Sequence, residues 1–324
     1  MLAAVTGGTG FIGRHLVTSL VEQGIQARVL TRRPELLGHL WPKADVEPWV
    51  GDLRMPETLR GFAANARVIY HLGGETQDTT CFDKVNATGT KNLLEACRGE
   101  KLTRFVHLSS VGVIGATGAG EVSESTSCHP KNAYERSKYA GEQMALAAFE
   151  EFHMPVTLIR PTIVFGEEPN RDRDSLAMLL TALQKGWFRF IGVADPVANY
   201  IYVGDVVKAC LMLAENDKAT GEVYIVSDSC PLREFVGAAA QFLGLEMPGR
   251  LPTWLAYTLA AAFEITGKLA SFSPSLTVSR VRALANRWMY SSKKLREELG
   301  YEPDVGWREG LRRTVEWYKR NKLL

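Results

Sequence analysis

The stretch MLAAVTGGTGFIGRH, residues 1–15, decides the fold that the chain can adopt. Its apolar run at 2–5 has the length of a strand, and glycines follow at once. Gly8, Gly10 and Gly13 match the spacing G-x-G-x-x-G, and a helical pattern of apolar residues comes next. A strand, a glycine turn and a helix in this order predict a site for the pyrophosphate of a dinucleotide.

Glycine is required in such a turn because a side chain would hold the backbone away from the phosphate oxygens. The N–H groups at the start of the helix carry partial positive charge and can then bind these oxygens. A glycine-rich turn without a ligand is the alternative, and the flanking strand and helix argue against it. The residues of this stretch that are expected to bind the cofactor are Gly7, Gly10, Phe11, Ile12 and Gly13.

The composition excludes several classes of protein. The 324 residues, 46% of them hydrophobic, suffice for a large core, and the formal net charge of +2 is close to balance. Basic residues occur in short pairs rather than patches, so we expect no nucleic-acid partner. We expect no signal peptide, because the first predicted strand begins at Leu2, and no transmembrane segment, since no apolar run approaches about 20 residues. The scattered cysteines predict reduced thiols in a cytoplasmic protein without a metal site: Cys81, Cys97, Cys128, Cys210 and Cys230.

Strands and helices alternate along the first half of the chain. This spacing predicts an α/β fold, a Rossmann-type doubly wound parallel sheet with helices on both faces. Residues 200–203 are expected to return to the main sheet, and residues 223–226 to form its last strand. From residue 231 the pattern is mostly helical. We therefore predict a dinucleotide-binding domain and a smaller, mostly helical C-terminal substrate lobe, which comprise residues 1–165 plus 199–228 and residues 166–198 plus 229–324 respectively.

Tyr134 and Lys138 have the spacing that places two side chains on one face of a helix. That helix is predicted for 134–152, with Asn132 as its cap. An ammonium beside a phenol favours the phenolate, which suits the phenol for general acid/base chemistry. Two other pairs share the spacing and are expected on solvated helix faces: Tyr290 with Lys294, and Tyr318 with Lys322.

Only Tyr134 begins its helix shortly after a strand that ends in two serines, Ser109 and Ser110. The carboxyl ends of parallel strands face the nucleotide crevice in an open α/β sheet. A serine hydroxyl at that place can hold a substrate oxygen while Tyr134 exchanges its proton. The sequence thus predicts a site that joins Tyr134, Lys138 and the paired serines.

Eight motifs, taken in order, resemble those of the extended short-chain dehydrogenases/reductases of the NAD(P)-dependent epimerase/dehydratase superfamily. The resemblance covers roughly residues 1–230, and its last part is most similar to the branch of steroid dehydrogenases and dihydroflavonol reductases. The motifs are TGGTGFIG at 6–13, GDL at 51–53, YHLGG at 70–74, VNATGTKNLLEAC at 85–97, LSS at 108–110, YERSK at 134–138, RPTIVFG at 160–166 and YIYVGDVV at 200–207.

The resemblance implies roles for individual residues. Ser110, Tyr134 and Lys138 would be the catalytic set, in which Tyr134 is the acid/base and Ser110 orients the substrate oxygen. Lys138 would also bind the nicotinamide ribose. Helices like those predicted at 83–98 and 134–152 pair across a homodimer in this family, so we expect a dimer. Cofactor contacts are further implied for Asp52, Leu53, Gly73, Gly74 and Asn86, and Asn86 would also support the active-site scaffold.

The end of the second predicted strand bears on the choice of cofactor. An NAD site has a carboxylate there to accept a hydrogen bond from the ribose 2′-hydroxyl. Thr31 occupies that place, and Arg32 and Arg33 follow, which suits a 2′-phosphate because guanidinium groups bind phosphate well. We predict NADP(H) as the preferred cofactor. NAD(H) stays open, since two arginines on a solvated loop would explain the same residues.

We interpret the chain as an NAD(P)-dependent oxidoreductase that interconverts a secondary alcohol and a ketone on a largely apolar small molecule. Related enzymes of nucleotide sugars carry an asparagine before the strand-end V-[YF]-G and an arginine before the YIYV-type strand, and this sequence has neither. A nucleotide-sugar epimerase or dehydratase is the alternative, if Arg171, Arg173 or Arg189 binds a diphosphate. A non-catalytic nucleotide-binding subunit is a third hypothesis, disfavoured because the tyrosine and lysine are both retained.

The segment 250–272 is the most apolar part of the second lobe. It is predicted to pack in the core or at a subunit contact, or alternatively to form a lid over an apolar substrate with peripheral contact to a membrane. His71 ends a buried strand and is expected in the core or along the cofactor rather than as a catalytic base. Asp205 is expected to hold a loop or cap a helix.

Overall fold

The computed structural model describes residues 1–42, 44–115, 120–169, 174–192, 196–258 and 287–324. The strands within these ranges are β1 (Leu2–Thr6), β2 (Gln26–Thr31), β3 (Val46–Val50), β4 (Val68–His71), β5 (Arg104–Leu108), β6 (Gly120–Val122), β7 (Val156–Pro161), β8 (Ile163–Phe165), β9 (Phe190–Ile191), β10 (Val197–Ala198), β11 (Tyr200–Tyr202), β12 (Val223–Val226), β13 (Cys230–Pro231), β14 (Arg250–Leu251) and β15 (Trp288–Tyr290).

The α-helices in the same ranges are α1 (Phe11–Glu22), α2 (Glu35–Leu40), α3 (Gly89–Cys97), α4 (Ala133–Phe152), α5 (Ser175–Gln184), α6 (Val203–Glu215), α7 (Leu232–Leu243), α8 (Lys293–Leu299) and α9 (Gly306–Arg320). A π-helical segment (Asp83–Thr88) precedes α3 directly. The 3-10 turns are Pro56–Leu59, Val111–Ile114 and Asp217–Ala219.

The central sheet has seven strands, all parallel, in the order β3–β2–β1–β4–β5–β7–β12. Helices α1 and α6 cover one face, and α3 and α4 cover the other, so the inner strands are buried on both sides, whereas the edge strand β3 is not. The strand order reverses between β1 and β4. The crevice at the carboxyl ends of these two strands is where such a sheet binds ligands. The predicted doubly wound α/β fold is confirmed.

The prediction that residues 200–203 return to the main sheet is wrong. β11 pairs instead with β8 in a separate two-stranded parallel sheet, with Ile201 opposite Val164. The reason is that β7 already has β5 on one side and β12 on the other, so no place beside β7 is left. The helix α6 also begins at Val203, inside the predicted strand.

The helix predicted for 83–98 is divided between the π-helical segment and α3. The π-helical segment carries Asn86, and α3 begins at Gly89, where a Cβ would lie 2.9 Å from the Cβ of Leu53. Such π turns inside helices are frequent at functional sites.

A second apolar cluster joins α5, α7 and α9. Leu180, Phe235, Leu311 and Val315 are all buried in it. The Phe235 ring stacks on Tyr200 of β11 with a centroid distance of 4.5 Å. Among the residues that the structure describes, no helix is long and apolar enough to cross a membrane. This second apolar cluster gives the later part of the chain a core of its own.

Each edge of the central sheet carries features that oppose pairing with a further strand. β3 contains Pro48, which has no N–H group. At the other edge, the N–H of Ile225 donates to Glu124 Oε1 at 2.7 Å. The next outward N–H, of Ser227, donates to Ser292 Oγ at 2.7 Å. Side chains of the protein thus occupy donors that a further strand would use.

Asp205 of α6 is fully buried, and its carboxylate holds the start of α9. Its Oδ1 accepts the N–H groups of Asp304 and Val305 at 2.9 and 3.1 Å, and its Oδ2 accepts that of Gly306 at 2.9 Å. A carboxylate at this place satisfies donors that the helix leaves unpaired and is stabilised by the helix dipole. The expectation that Asp205 holds a loop or caps a helix is confirmed.

We expect Asp205→Ala to lower the free energy of unfolding by about 3 kcal/mol, because three N–H groups lose their acceptor at once. Chemical denaturation followed by circular dichroism measures the change. Asp304→Ala is the control, since its largely exposed carboxylate pairs with Lys208 at the surface, where an ion pair contributes at most about 1 kcal/mol. Equal losses in the two variants would contradict the prediction.

Candidate active site

The glycine loop lies at the carboxyl end of β1 and packs tightly against the end of β4. Gly7 has a φ of 71°, and a Cβ there would lie 2.6 Å from the backbone nitrogen of Gly73. A Cβ at Gly13 would overlap the carbonyl oxygen of Gly7. Gly10 is the N-cap of α1 and has no side chain with which to cover the helix end. Backbone N–H groups of this turn are therefore available to an anion.

Two adjoining cavities form one cleft along the carboxyl ends of β1 and β4, and they share Gly7, Gly10 and Gly74. The first cavity, of about 330 Å³, is lined by further predicted cofactor residues: Arg32, Arg33, Asp52, Leu53 and Gly73. The second, of about 320 Å³, is lined by the predicted catalytic residues Ser110, Tyr134 and Lys138 and by Phe11, Ile12 and Gly13. The structure thus brings every predicted site residue except Asn86 to one cleft.

The start of α4 presents Tyr134 to the second cavity. Asn132 caps this helix: its Oδ1 accepts the N–H of Glu135 at 2.9 Å, and the Glu135 carboxylate accepts the N–H of Asn132 at 3.3 Å. This reciprocal capping box sets where the helix begins. The Tyr134 ring packs edge-on against Phe82 with a centroid distance of 5.7 Å. The cap and this ring contact together position the phenol.

Ser109 and Ser110 follow β5 and line the same cavity. Ser110 Oγ accepts the N–H of Gly112 at 3.1 Å, which leaves its hydroxyl hydrogen for another acceptor. Ser109 is 5% exposed, and its Oγ has no hydrogen-bond partner within the described part of the chain. Buried hydroxyl groups are nearly always paired. An orphan hydroxyl in the cleft wall therefore suits a site that receives a polar ligand group.

Lys138 lies one helical turn after Tyr134 and is buried. Its Nζ donates to the carbonyl oxygen of Leu108, at the end of β5, over 2.6 Å. Burial lowers the pKa of Lys138 to about 8, and the carboxylate of Glu142 opposes this change. Glu142 is itself paired with Arg160 at 2.6 Å. The backbone thus holds the Lys138 ammonium in the wall of the second cavity.

Asn86 lies behind the cleft and joins two parts of its wall. Its Oδ1 accepts the N–H of Glu75 at 2.7 Å, and its Nδ2 donates to the carbonyl oxygen of Glu75 at 2.9 Å. The same Nδ2 donates to Ser137 Oγ at 3.0 Å, and Ser137 Oγ donates to the carbonyl oxygen of Tyr134 at 2.8 Å. This geometry links the loop after β4 to α4, as support of the site would require.

Arg54 also lines the first cavity and is not among the residues predicted from the sequence. Its Nε lies 3.0 Å from Asp52 Oδ1, and its Nη2 lies 2.6 Å from Oδ2. This pairing holds the pKa of Asp52 below its ordinary value. Arg32 approaches the same carboxylate at 3.9 Å with a side chain that is 70% exposed. The sequence feature that could have indicated Arg54 is its position two residues after Asp52. The N–H of Arg54 donates to Asp52 Oδ1 in an Asx turn.

Comparison with protein families agrees with this geometry. The model of the NAD dependent epimerase/dehydratase family matches residues 3–227, which include the glycine loop, both serines and the Tyr134–Lys138 pair. The chain belongs to this family. It is therefore an enzyme of an NAD-dependent family. The resemblance inferred from the eight motifs is confirmed.

Relatives of this epimerase/dehydratase family member include proteins with names from the predicted branch. It is similar to the 3beta-hydroxysteroid-dehydrogenase/decarboxylase isoform 1 of Arabidopsis thaliana, with 30% identity over 98% of this chain and 80% of that protein. It is also similar to the 4-hydroxy-2-methyl-3-oxo-4-farnesyl-3,4-dihydroquinoline-1-oxide ketoreductase of Stigmatella aurantiaca, with 29% identity over 96% of this chain and 95% of that protein.

A solved structure of the same architecture is the UDP-glucuronic acid 4-epimerase from Bacillus cereus in complex with NAD. Its TM-score to this family member is 0.76 over 99% of both chains. The sequence identity is 21%, so this likeness concerns the fold alone. It agrees with the parallel sheet described above.

Tyr290, Tyr318 and Arg189, which the sequence also singled out, do not line the cleft. Tyr290 belongs to β15 and Tyr318 to α9, and both rings are buried, so the prediction of solvated helix faces is wrong for them. Arg189 Nη1 donates to the carbonyl groups of Gly186 and Phe188 in its own turn. The remaining candidates lie outside the described residues: Arg171, Arg173 and the part of the 250–272 segment from 259 onward.

Proposed function

We propose that the protein is an NADP(H)-dependent oxidoreductase that interconverts a secondary alcohol and a ketone on a largely apolar small molecule. The observation that carries this proposal is the second cavity, in which Ser110, Tyr134 and Lys138 meet apolar side chains. A pocket with a few convergent polar groups in apolar walls suits an apolar substrate with one reacting oxygen. The apolar residues are Leu72, Leu108, Pro161 and Val164.

In the proposed function the cleft holds a dinucleotide across both cavities. A Cβ at Gly7, Gly10 or Gly13 would crowd the backbone of the turn or of Gly73, so these glycines let the turn pack closely, and the uncovered start of α1 suits the pyrophosphate. In this proposal Asp52 and Leu53 lie beside the adenine. The bound cofactor supplies or accepts the hydride.

The side chains of the second cavity handle the proton and the substrate oxygen. The Tyr134 hydroxyl gives its proton to the ketone oxygen in reduction and takes it back in oxidation. Ser110 holds that oxygen with its hydroxyl hydrogen, which its bond from Gly112 leaves available. The Lys138 ammonium favours the phenolate and carries donors for a ribose hydroxyl.

The proposal includes a division of labour along the chain. Residues 1–165 plus 199–228 bind the cofactor, and residues 166–198 plus 229–324 recognise the substrate. The protein acts as a homodimer whose contact is formed by α3 and α4, which lie side by side on one face of the sheet.

The proposed function is tested with a thermal-shift panel followed by an activity assay. NADPH, NADP, NADH, NAD, UDP and UDP-glucose are added singly, because a ligand that binds only the folded state raises the Tm. We expect stabilisation by NADPH and NADP, and oxidation of NADPH with apolar ketones as substrates. A clear additional shift with UDP or UDP-glucose would favour a nucleotide-sugar epimerase or dehydratase. No shift with any nicotinamide cofactor would contradict both enzyme functions.

The preference for NADP(H) is based on the charges at the end of β2. Arg32, Arg33 and Arg54 all line the first cavity, and Arg54 already pairs with the Asp52 carboxylate. The Glu75 and Asp78 carboxylates also line it, but Glu75 Oε1 accepts three N–H groups of its own loop, and Asp78 Oδ1 accepts the N–H and the hydroxyl group of Thr80. A 2′-phosphate would therefore meet exposed guanidinium groups beside carboxylates that are engaged within their own loop.

We expect the double variant Arg32→Ala/Arg33→Ala to raise the Kd for NADPH at least about tenfold, since a hydrogen bond to a charged group contributes about 1.5–3 kcal/mol. The Kd for NADH should change little because it has no 2′-phosphate. Fluorescence titration measures both constants. The control is Arg312→Ala/Arg313→Ala, an equal loss of charge on α9. Parallel weakening of NADPH and NADH would contradict the preference.

A further inference from the structure

A line of buried polar side chains runs beneath the cleft, between the sheet and the helices α3 and α4. Thr6 ends β1, His71 ends β4 and Thr90 belongs to α3, and none of them is more than 1% exposed. The layer around them is apolar and includes Ile69 and Phe105. Polar groups in such surroundings are costly unless they are hydrogen-bonded, so their partners show what they hold together.

The hydrogen bonds of His71 have only one consistent direction. Thr90 Oγ1 lies 2.7 Å from the carbonyl oxygen of Asn86, which cannot donate, so Thr90 donates there. His71 Nε2 lies 2.9 Å from Thr90 Oγ1 and is therefore a donor. His71 Nδ1 then accepts the hydroxyl hydrogen of Thr6 at 2.7 Å. Thr6 Oγ1 in turn accepts the N–H of Gly73 at 3.0 Å.

The two ends of this chain of hydrogen bonds are parts of the proposed active site. Gly73 lines the first cavity, where its backbone faces the cofactor in the proposed function. At the other end, Asn86 bonds Ser137, which bonds the carbonyl oxygen of Tyr134. One imidazole therefore connects the cofactor loop after β4 with the first turn of α4.

We infer that His71 is a positioning residue that sets the cofactor loop after β4 against α4 through its bonds to Thr6 and Thr90. The inference rests on the proposed function, because its effect appears in cofactor binding and turnover. It deepens that function by assigning a role to a residue that touches neither cavity. Each group in the chain keeps its own hydrogen, so no proton is transferred.

The His71 ring stays neutral near neutral pH, where its hydrogen bonds to Thr6 and Thr90 are needed. Burial lowers the pKa of His71 to about 3, and the ammonium of Lys138 acts in the same direction. A second proton on the ring would turn Nδ1 into a donor and break its bond from Thr6. The connection is therefore complete at neutral pH and is not a pH switch there.

His107 is a matched control in the same layer. It lies opposite His71 in the register of β4 and β5, the ring centroids are 5.0 Å apart, and both residues are buried. Both ring nitrogens of His107 lack a hydrogen-bond partner within the described residues. His107→Leu therefore removes an equally buried imidazole without breaking the chain of bonds.

The first test compares Thr90→Val, Thr90→Ser and His107→Leu with the wild type. Thr90→Val keeps the side-chain shape and loses the hydroxyl, and we expect kcat/KM to fall about tenfold, with a weaker Kd for NADPH. Thr90→Ser should restore both values, and His107→Leu should remain within about twofold of wild type. Tm values are measured on the same variants, because a purely structural role would lower the Tm of Thr90→Val without changing the turnover of the folded protein, whereas a positioning role lowers kcat/KM while the protein stays folded.

The second test reads the tautomer of His71 directly by nitrogen-15 NMR of the histidine-labelled wild type. We expect the Nε2–H form and no titration between about pH 5 and 8. The Nδ1–H form, or titration in that range, would overturn the inference. If the wild type binds NADPH and Thr90→Val has the same kcat/KM and Kd as the wild type, the inference is wrong, while the proposed function is not contradicted. A wild type that binds no NADPH contradicts the proposed function, and the inference with it.

Discussion

Tyr134→Phe is expected to lower kcat about a thousandfold while the Kd for NADPH changes by less than about twofold. A positioned general acid contributes about 10²–10⁴-fold to a rate, and phenylalanine removes the only acid that the proposal places at the substrate oxygen. The ring contact with Phe82 is kept, so the fold should not change. Turnover is followed as NADPH oxidation with the best apolar ketone of the panel, and the Kd by fluorescence.

The chain contains its own control for this variant. Tyr318 also stands four residues before a lysine, Lys322, and its hydroxyl is buried without a hydrogen-bond partner among the described residues. Tyr318→Phe removes a hydroxyl from a buried tyrosine of the same spacing, outside the cleft, and should leave kcat unchanged. If Tyr134→Phe keeps more than a tenth of the wild-type kcat, Tyr134 is not the acid/base.

Lys138→Met is expected to have opposite effects on activity and on stability. Activity should fall about a hundredfold or more, because the ammonium that favours the phenolate is lost. The free energy of unfolding of the ligand-free protein at pH 7 should nevertheless rise by about 2 kcal/mol. Burying an ammonium is costly, and methionine fills similar space without a charge, although the carbonyl of Leu108 loses its donor.

The same lysine sets a pH dependence of stability. Below about pH 8, Lys138 is charged in the folded and the unfolded protein. Between about 8 and its ordinary pKa of 10.5, the folded protein has released a proton that the unfolded chain still binds. Stability therefore rises with pH across this window, by about 3 kcal/mol in total. The methionine variant should lack this rise.

Lys294→Met is the matched control for both measurements. Lys294 also follows a tyrosine by four residues, but its Nζ pairs with Glu222 at 2.6 Å near the surface. We expect unchanged turnover and a small loss of stability of about 1 kcal/mol or less. A Lys138→Met variant that is less stable than wild type at pH 7 would contradict the account of a costly buried charge.

The parts of the site that could be predicted from the sequence depend on local geometry. The glycine spacing reflects a turn in which Gly7 needs a positive φ and Gly13 needs close approach, both within a few residues. Tyr134 and Lys138 are placed together by one turn of a helix, and Asn132 marks where that helix begins. Requirements for backbone conformation, close approach and helical spacing act between neighbouring residues, so they can be recognised in the sequence.

The parts that could not be predicted depend on contacts between distant segments. β11 leaves the main sheet because β12, a later strand, occupies the place beside β7. The bonds of His71 to Thr6 and Thr90 join residues 65 and 19 positions apart. Tyr290 and Tyr318 show the same limit, since a spacing of four residues does not tell which side of an element faces the core.

The features at the two edges of the central sheet affect how copies of the protein can associate. A parallel sheet with open edges invites the strand of another molecule, which leads to aggregation or to continuous sheets across an assembly. Pro48 on one edge, and the bonds of Ile225 and Ser227 to Glu124 and Ser292 on the other, oppose such growth. In the proposed homodimer, contact is therefore expected through the helical surfaces rather than through the sheet edges, and the native sheet should not seed fibres at high protein concentration.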